Sequence, residues 1–267
     1  MLRIASRNNP KLKEAARLVA SSRERRKAGK CVIEGEHLID AYAERYGAPE
    51  TLIVADALLA RPGIDRLVRR FDERTLIVSE SMFDEMSALP SGVGVLAVVP
   101  TPRPSTFEPG LFCLLLEDVQ DPGNVGSMLR SAAAAGVTQA FLSRDCAFAW
   151  SPKVLRAGMG AHFALDIHED VDPIEWAATF RQRSGRVVAM VREGGESIFS
   201  VALERPLAIV IGNEGAGLSQ GLVDASSVQA TIPMPGRIES LNAASAAAVA
   251  LFECVRRLPS AKPESGH

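Results

Sequence analysis

From residue 111 onward, short apolar runs alternate with helical stretches, and this alternation restricts the fold more than any other feature of the chain. LFCLLLEDV (111–119), TQAFLS (138–143), GRVVAMV (185–191) and PLAIVIG (206–212) lack the in-out polarity of a half-solvated strand. Such runs suit strands covered on both faces. Between them lie NVGSMLRSAAAAG, PKVLRAGMGAHF and DPIEWAATFRQR, Ala-rich or amphipathic stretches bounded by the Gly, Pro or Asp that start and stop helices. The pattern predicts an α/β fold whose sheet is parallel with helices on both faces. SSVQATIPM adds a further strand, and LNAASAAAVALFECVRRL (241–258) a last helix with small residues on one side, where another backbone can approach closely.

The first hundred residues read as a smaller α/β unit. NPKLKEAARLVAS (9–21) places Leu12, Ala15, Ala16 and Val19 at helical spacing, with Asn9 and Pro10 as cap and first turn. KCVIEGEHLIDAYAERYG reads as strand, glycine turn and a helix ending near Gly47; TLIVA (51–55) and TLIVS (75–79) are two more strands, each followed by a helix. Two such units are too few to stack as a solenoid. The seam is PTPRPSTFEPG (100–110), whose four prolines favour an extended connector. The expected organisation is a small domain at 1–100, a linker at 101–110, a large domain at 111–258 and a polar tail at 259–267.

Charge is unevenly distributed. Of 30 Lys and Arg against 32 Asp and Glu, residues 1–30 hold ten basic side chains and only Glu14 and Glu24, a net +8 on an otherwise acidic chain. A basic block of this kind suits a polyphosphate partner, although a solvated helix face has the same composition. No apolar stretch reaches the roughly 18 residues that a membrane span requires, and the N-terminus lacks the apolar core of a secretory signal. The cytoplasm is the expected location, with no membrane partner. Cys31, Cys113, Cys146 and Cys254 form no C-x-x-C and the four histidines show no ligand spacing, so buried thiols and no metal site are expected.

In a parallel α/β sheet, ligands bind beyond the carboxyl ends of the strands, which directs attention to the loops after the apolar runs. Three stand out: EDVQDPGNVGSMLR (117–130), IGNEGAGL (211–218) and IPMPGRIESLN (232–242). In the first, Asp121-Pro122-Gly123 reads as a tight turn, with Asn124 able to cap and Arg130 two helical turns on. In the second, Gly212, Gly215 and Gly217 run G-x-x-G-x-G, which is neither the dinucleotide fingerprint nor a P-loop. Those glycines serve either a turn or a close approach to a ligand; Asn213 and Glu214 beside them point to a polar ligand.

Taken together, D-P-G-N-V-G-S-M-L-R, I-G-N-E-G-A-G and I-P-M-P-G-R-I-E-S-L-N, in this order and each after a strand, closely resemble the SpoU/TrmH family of the SPOUT RNA methyltransferases. The resemblance covers most of 111–258, and more loosely the first hundred residues resemble the ribosomal-protein-like RNA-binding domain that precedes that catalytic domain in many members. It implies a deep trefoil knot, a homodimer, and transfer of a methyl group from S-adenosylmethionine to a ribose 2′-hydroxyl of RNA, ribosomal rather than transfer RNA being favoured. Matched position by position, Asn124, Arg130, Glu214, Ser240 and Asn242 are the implied catalytic residues. Gly212, Ile232 and Leu241 match positions whose backbone holds the adenosylmethionine, with Asn213, Gly215 and Met234 beside them. Ala243-Ala244 replace a hydroxyl residue that many relatives carry after the third motif, which removes one polar contact.

The chemistry needs a ribose oxygen in line with the methyl and a way to remove its proton. Arginine is a poor base, since a guanidinium holds its proton up to pH ~12. Arg130 is therefore expected first to position the nucleotide through phosphate, and second to accept the proton when desolvated. Asn124 orients Arg130 or the ribose, Glu214 holds the loop or the arginine, and Ser240 and Asn242 can cap the last helix as well as contact the cofactor. Phe141, Phe148, Trp150 and Trp176 lie in or beside apolar stretches and read as packing groups. Competing classes are a non-catalytic RNA-binding protein of the same fold and a nucleotide-dependent oxidoreductase, the latter disfavoured by the glycine order.

Overall fold

The computed structural model describes residues 1–87, 93–105 and 112–257. Its elements begin with β1 (Leu2–Arg3), α1 (Pro10–Ala20), α2 (Ser22–Ala28), β2 (Lys30–Glu34), α3 (Glu36–Tyr46), β3 (Thr51–Ala55), α4 (Pro62–Arg70), β4 (Thr75–Val78), α5 (Glu80–Asp84) and β5 (Val95–Pro100). They continue through β6 (Phe112–Leu116), α6 (Pro122–Ala134), β7 (Gln139–Ser143), α7 (Pro152–Gly158), β8 (Asp166–Val171), α8 (Pro173–Gln182) and β9 (Arg186–Met190). The chain closes with β10 (Glu196–Ser197), β11 (Leu207–Ile211), α9 (Gln220–Ala225), β12 (Val228–Thr231) and α10 (Ala243–Arg257). By its internal contacts the chain divides into two units: one takes residues 1–105, 121–130 and 147–167, the other the described residues of 112–120, 131–146 and 168–257. The second half of the proline-rich seam and the polar tail lie outside the described residues.

In the first unit a five-stranded sheet runs β1-β4-β3-β5-β2, with β5 antiparallel to both β2 and β3 and the other pairings parallel. Asn9 caps α1 by accepting from Lys11 N at 2.9 Å, and Pro10 takes the first turn, where its missing N–H costs nothing. Leu12, Ala15 and Leu18 line the buried face of α1 and pack with Val32, Ile53, Leu96 and Val98. Ser21 both ends α1 and caps α2. The basic segment is not uniformly available to a partner. Arg25 is buried: its Nη1 donates to the carbonyls of Leu18 and Val19, and its Nη2 to Ser22 Oγ at 2.8 Å, so its charge serves the unpaired carbonyls at the end of α1. Lys30 is likewise held between Glu14 and Glu50, at 2.9 and 2.6 Å.

The second unit is built on a seven-stranded sheet ordered β10-β12-β9-β11-β6-β7-β8, in which every pairing from β10 to β7 is parallel. β6 and β11 are buried along their whole length, as continuous apolar runs require. On one face Cys113, Leu115, Phe141, Phe180, Val187 and Val210 form a single core. Phe141 stacks on His168 and Trp176 on Phe180, so both serve packing, as their sequence surroundings suggest. Parallel pairing gathers the carboxyl ends of β6, β9, β11 and β12 at one edge. Cys31, Cys113 and Cys254 are buried free thiols, each pushed up to about 12 by burial and thereby inert as nucleophiles. Among the described residues no helix is long and apolar enough to cross a membrane, and no cluster of three potential metal ligands occurs.

Candidate active site

Beyond the carboxyl ends of β9, β11 and β12 a cleft of about 110 Å³ opens to solvent. Three chain segments line it. Met190, Val191 and Arg192 continue β9; Ile211, Gly212, Asn213, Glu214 and Gly217 follow β11; Ile232, Met234, Glu239, Ser240 and Leu241 lead from β12 into α10. The second and third sequence motifs are thus brought together, at the edge where a parallel sheet binds ligands. Its walls mix apolar side chains with a few polar groups, the composition of a site for a small amphipathic molecule.

The β11 loop folds back on itself. Asn213 and Gly217 exchange backbone hydrogen bonds of 3.0 Å in both directions, and Gly217 sits at φ +75°. At Gly212 a Cβ would come within 2.4–2.6 Å of backbone atoms of Gly217 and Leu218, so only glycine permits the closure. The Asn213 side chain is engaged in holding the loop: its Oδ1 accepts from Gly215 N and Ala216 N at 2.8 and 2.9 Å, and its Nδ2 donates to the Asp118 carbonyl at 2.8 Å. Gly215 itself does not line the cleft, its N–H being committed to Asn213.

The stem of the first motif secures the second. Glu214 Oε2 accepts from Gln120 N at 3.3 Å, and the Glu117 carboxylate accepts from Ser219 N and Oγ at 2.7 and 2.6 Å. Arg192 lies outside the three sequence motifs. Its Nη2 donates to the carbonyls of Glu214 and Gly215, both at 2.7 Å, tying the β9 and β11 loops together. The same carboxyl-end rule that selected three loops applies to the one after GRVVAMV, and V-R-E-G-G there was the available signal.

Asn242 is not among the cleft residues; its Oδ1 accepts from Ala244 N and Ser245 N at 2.9 and 3.2 Å and so caps α10. Ser240 lines the cleft. Asn124 and Arg130 lie on α6, in the portion that belongs to the first unit, Asn124 half-buried and Arg130 exposed. The turn expected at Asp121-Pro122-Gly123 is instead the start of α6. Asp121 is its cap, accepting from Asn124 N at 2.8 Å, and Pro122 is the first helical residue, which displaces Asn124 from the capping position into the first turn. A few residues on, α6 packs tightly on α7: a Cβ at Gly126 would meet Ala157 Cβ at 2.5 Å, the Val154 carbonyl oxygen at 2.6 Å and Gly158 N at 2.9 Å.

Residues 111–252 match the family described as SpoU rRNA Methylase, and residues 9–97 the one described as MRM3-like substrate binding domain. An uncharacterized tRNA/rRNA methyltransferase of Synechocystis is 30% identical over 258 residues, covering 95% of this chain and 93% of its own. The 23S rRNA (guanosine(2553)-2′-O)-methyltransferase of Bacillus subtilis is 28% identical, covering 94% of this chain and 98% of its own. Among solved structures, the SpoU methyltransferase AviRb of Streptomyces viridochromogenes in complex with AdoMet superposes with a TM-score of 0.82 at 26% identity, over 93% of this chain and 98% of that one.

Proposed function

Because the chain belongs to the SpoU rRNA methylase family, we propose that it transfers a methyl group from S-adenosylmethionine to a ribose 2′-hydroxyl of ribosomal RNA. The observation that carries this reading is the cleft beyond β9, β11 and β12, where the second and third motifs meet. Its residues fit the methyl donor. Ile211, Ile232, Met234 and Leu241 offer apolar walls to a nucleoside, and the carboxylates of Glu214 and Glu239 suit a cationic sulfonium. Gly212, Ile232 and Leu241 would hold the donor through their backbone. Adenosylmethionine supplies a methyl on a sulfonium that is already a good leaving group.

The protein's remaining task is the nucleophile. Arg130 either holds the substrate phosphate as a guanidinium by a charge-assisted contact, which fixes the ribose oxygen, or, having first given up its own proton in a desolvated complex, takes the hydroxyl proton; the two roles require opposite protonation states. Asn124, two turns earlier on α6, orients Arg130 or the ribose. Glu214 holds the cleft wall against Gln120, and Ser240 contributes a hydroxyl to the cleft rim. Residues 1–100 act as the RNA-binding part and 111–258 as the knotted catalytic part. A homodimer belongs to the same reading. It is supported by the apolar groups left exposed at the start of α10 and along it, Ile238 (71%), Leu241 (40%) and Phe252 (48%). Cytoplasmic placement belongs to the same reading.

The test is transfer of labelled methyl from adenosylmethionine to rRNA by the full chain and by Arg130→Lys. Wild type is expected to label rRNA, and the variant to lose most turnover with weakened RNA binding. No label from wild type overturns the activity; full turnover and unchanged RNA affinity in the variant overturn the role of Arg130.

A further inference from the structure

Two adjacent arginines of α2 have opposite fates. Arg25 turns inward to the carbonyls ending α1, with its guanidinium 5.5 Å from the centroid of the Phe148 ring, whereas Arg26 is exposed and lies closer over the same ring, 4.3 Å from its centroid. Phe148 is half-buried, a few residues ahead of α7, and both α2 and α7 pack against β2. The two helices, one from each half of the sequence, therefore share one region of the first unit.

On the two helices themselves the exposed charge has a single sign, although Arg156 also lines a pocket with Glu34 and Glu36. Arg23, Arg26 and Lys27 on α2 and Lys153 and Arg156 on α7 are all exposed, and the one acid in either helix is the half-buried Glu24. Among the described residues Arg23, Lys27, Lys153 and Arg156 make no ion pair. Elsewhere in the unit, by contrast, Lys30 meets Glu14 and Glu50, Arg61 meets Glu36, Arg66 meets Asp40 and Arg69 meets Asp65. Arg23, Lys27, Lys153 and Arg156 are thereby left to attract phosphates, whose counterions are released on binding. A guanidinium spread over an aromatic ring is also a preformed platform for an unstacked base, because little side-chain freedom remains to be lost.

We propose that α2 and α7 form the track for the phosphate backbone of the RNA substrate, with Arg26 on Phe148 as the platform for one unpaired base. This rests on the reading of the protein as an RNA methyltransferase and extends it by placing part of the RNA grip on α7, outside the first hundred residues. It also gives Phe148 a second role, beyond the packing that its sequence surroundings suggest.

The test measures binding of the full chain to an rRNA transcript across a salt series. Lys153→Ala/Arg156→Ala is expected to flatten the slope of log affinity against log salt by about 1.5, since each lost phosphate contact removes roughly 0.7 to 0.9. The control Arg69→Ala/Arg70→Ala removes equal charge from α4 and is expected to leave the slope unchanged. Arg26→Lys, which keeps the charge and loses the plane, is expected to weaken binding to a looped transcript about tenfold and to spare a fully paired duplex. Adenosylmethionine affinity, measured in each variant, reports intact folding. An unchanged slope in the α7 variant, or equal flattening in the control, overturns the track; equal effects of Arg26→Lys on loop and duplex overturn the platform. In either case methyl transfer by wild type still stands or falls separately.

Discussion

Gly126→Ala separates the position of α6 from the stability of the fold. The added methyl would lie 2.6 Å from the Val154 carbonyl oxygen, 2.5 Å from Ala157 Cβ and 2.9 Å from Gly158 N, and two of these are backbone atoms of α7 that have no rotamer to escape into. Reaching ordinary contact at 3.4 Å requires α6 and α7 to part by about 0.8 Å. Overpacking of this size costs about 1–3 kcal/mol. Replacing a mid-helix glycine by alanine returns up to about 1 kcal/mol of helix propensity, which leaves a net loss of about 0–2 kcal/mol, within the stability of an ordinary fold. The displacement remains, and Asn124 and Arg130 ride on the helix that moves. A misplacement near 1 Å lowers a positioned reaction about 100-fold. The assay is kcat for methyl transfer at saturating RNA and donor, alongside calorimetric adenosylmethionine affinity and a thermal melt. The expected result is a fall in kcat of about 30- to 100-fold with donor affinity intact, because the lining residues of the cleft all belong to the second unit. A kcat within about twofold of wild type would refute the link between α6 placement and catalysis.

Other perturbations follow from the same contacts. Gly212→Ala would force apart the two 3.0 Å hydrogen bonds between Asn213 and Gly217, and a loss near 1.4 kcal/mol weakens adenosylmethionine binding about tenfold by calorimetry; an unchanged Kd would show that this loop is not a wall of the donor site. Arg192→Ala removes two hydrogen bonds to loop carbonyls and, as Arg192 is exposed, is expected to weaken donor binding only a few-fold, with the melting temperature kept. His162 is fully buried and burial pushes it down to about 4, with its bond to the Ala149 carbonyl opposing. Its neutral ring is favoured in the folded state, so stability is complete above the ordinary histidine value and falls by about 3 kcal/mol as pH drops from ~6.5 through 4. Thermal melts from pH 7 to 4 should show that loss, and His162→Gln should flatten it. Glu253 is held down to about 2, chiefly by the Arg256 hydrogen bond and also by Arg257. Its contribution is therefore complete above the ordinary carboxylate value and lost only as pH falls from ~4.5 through 2; Glu253→Gln should lower the melting temperature above that window and converge with wild type as the pH falls through it.

The large parallel sheet was readable because β6, β7, β9 and β11 are buried on both faces and so carry unbroken apolar runs. β8, reading DIHEDV, and the two-residue β10 stand at the sheet's outer positions; edge strands carry charge and little apolar sequence, and neither announced itself. α2 escaped notice for a different reason: the one buried side chain of SRERRKA is Arg25, so no apolar period marks it. β5 runs into the prolines, and nothing local in VLAVVP records that it pairs antiparallel between β2 and β3. At the cleft, the glycine and proline loops were legible from strand ends and turn chemistry. The division of labour within them was not, since it depends on partners distant in sequence: Asn213 with Asp118, Glu214 with Gln120, Arg192 with the β11 loop.

A methyl on the ribose oxygen makes the next phosphodiester resistant to alkali, because the 2′-oxygen can no longer attack phosphorus, whereas a methyl on a base leaves it labile. Incubating the full chain with rRNA from cells that lack it and with adenosylmethionine, followed by limited alkaline hydrolysis, reads that difference directly. The expected outcome is a new alkali-resistant position in the ladder, formed only when donor and protein are both present. Methyl incorporation with an unaltered ladder would contradict the assignment of the ribose oxygen as nucleophile.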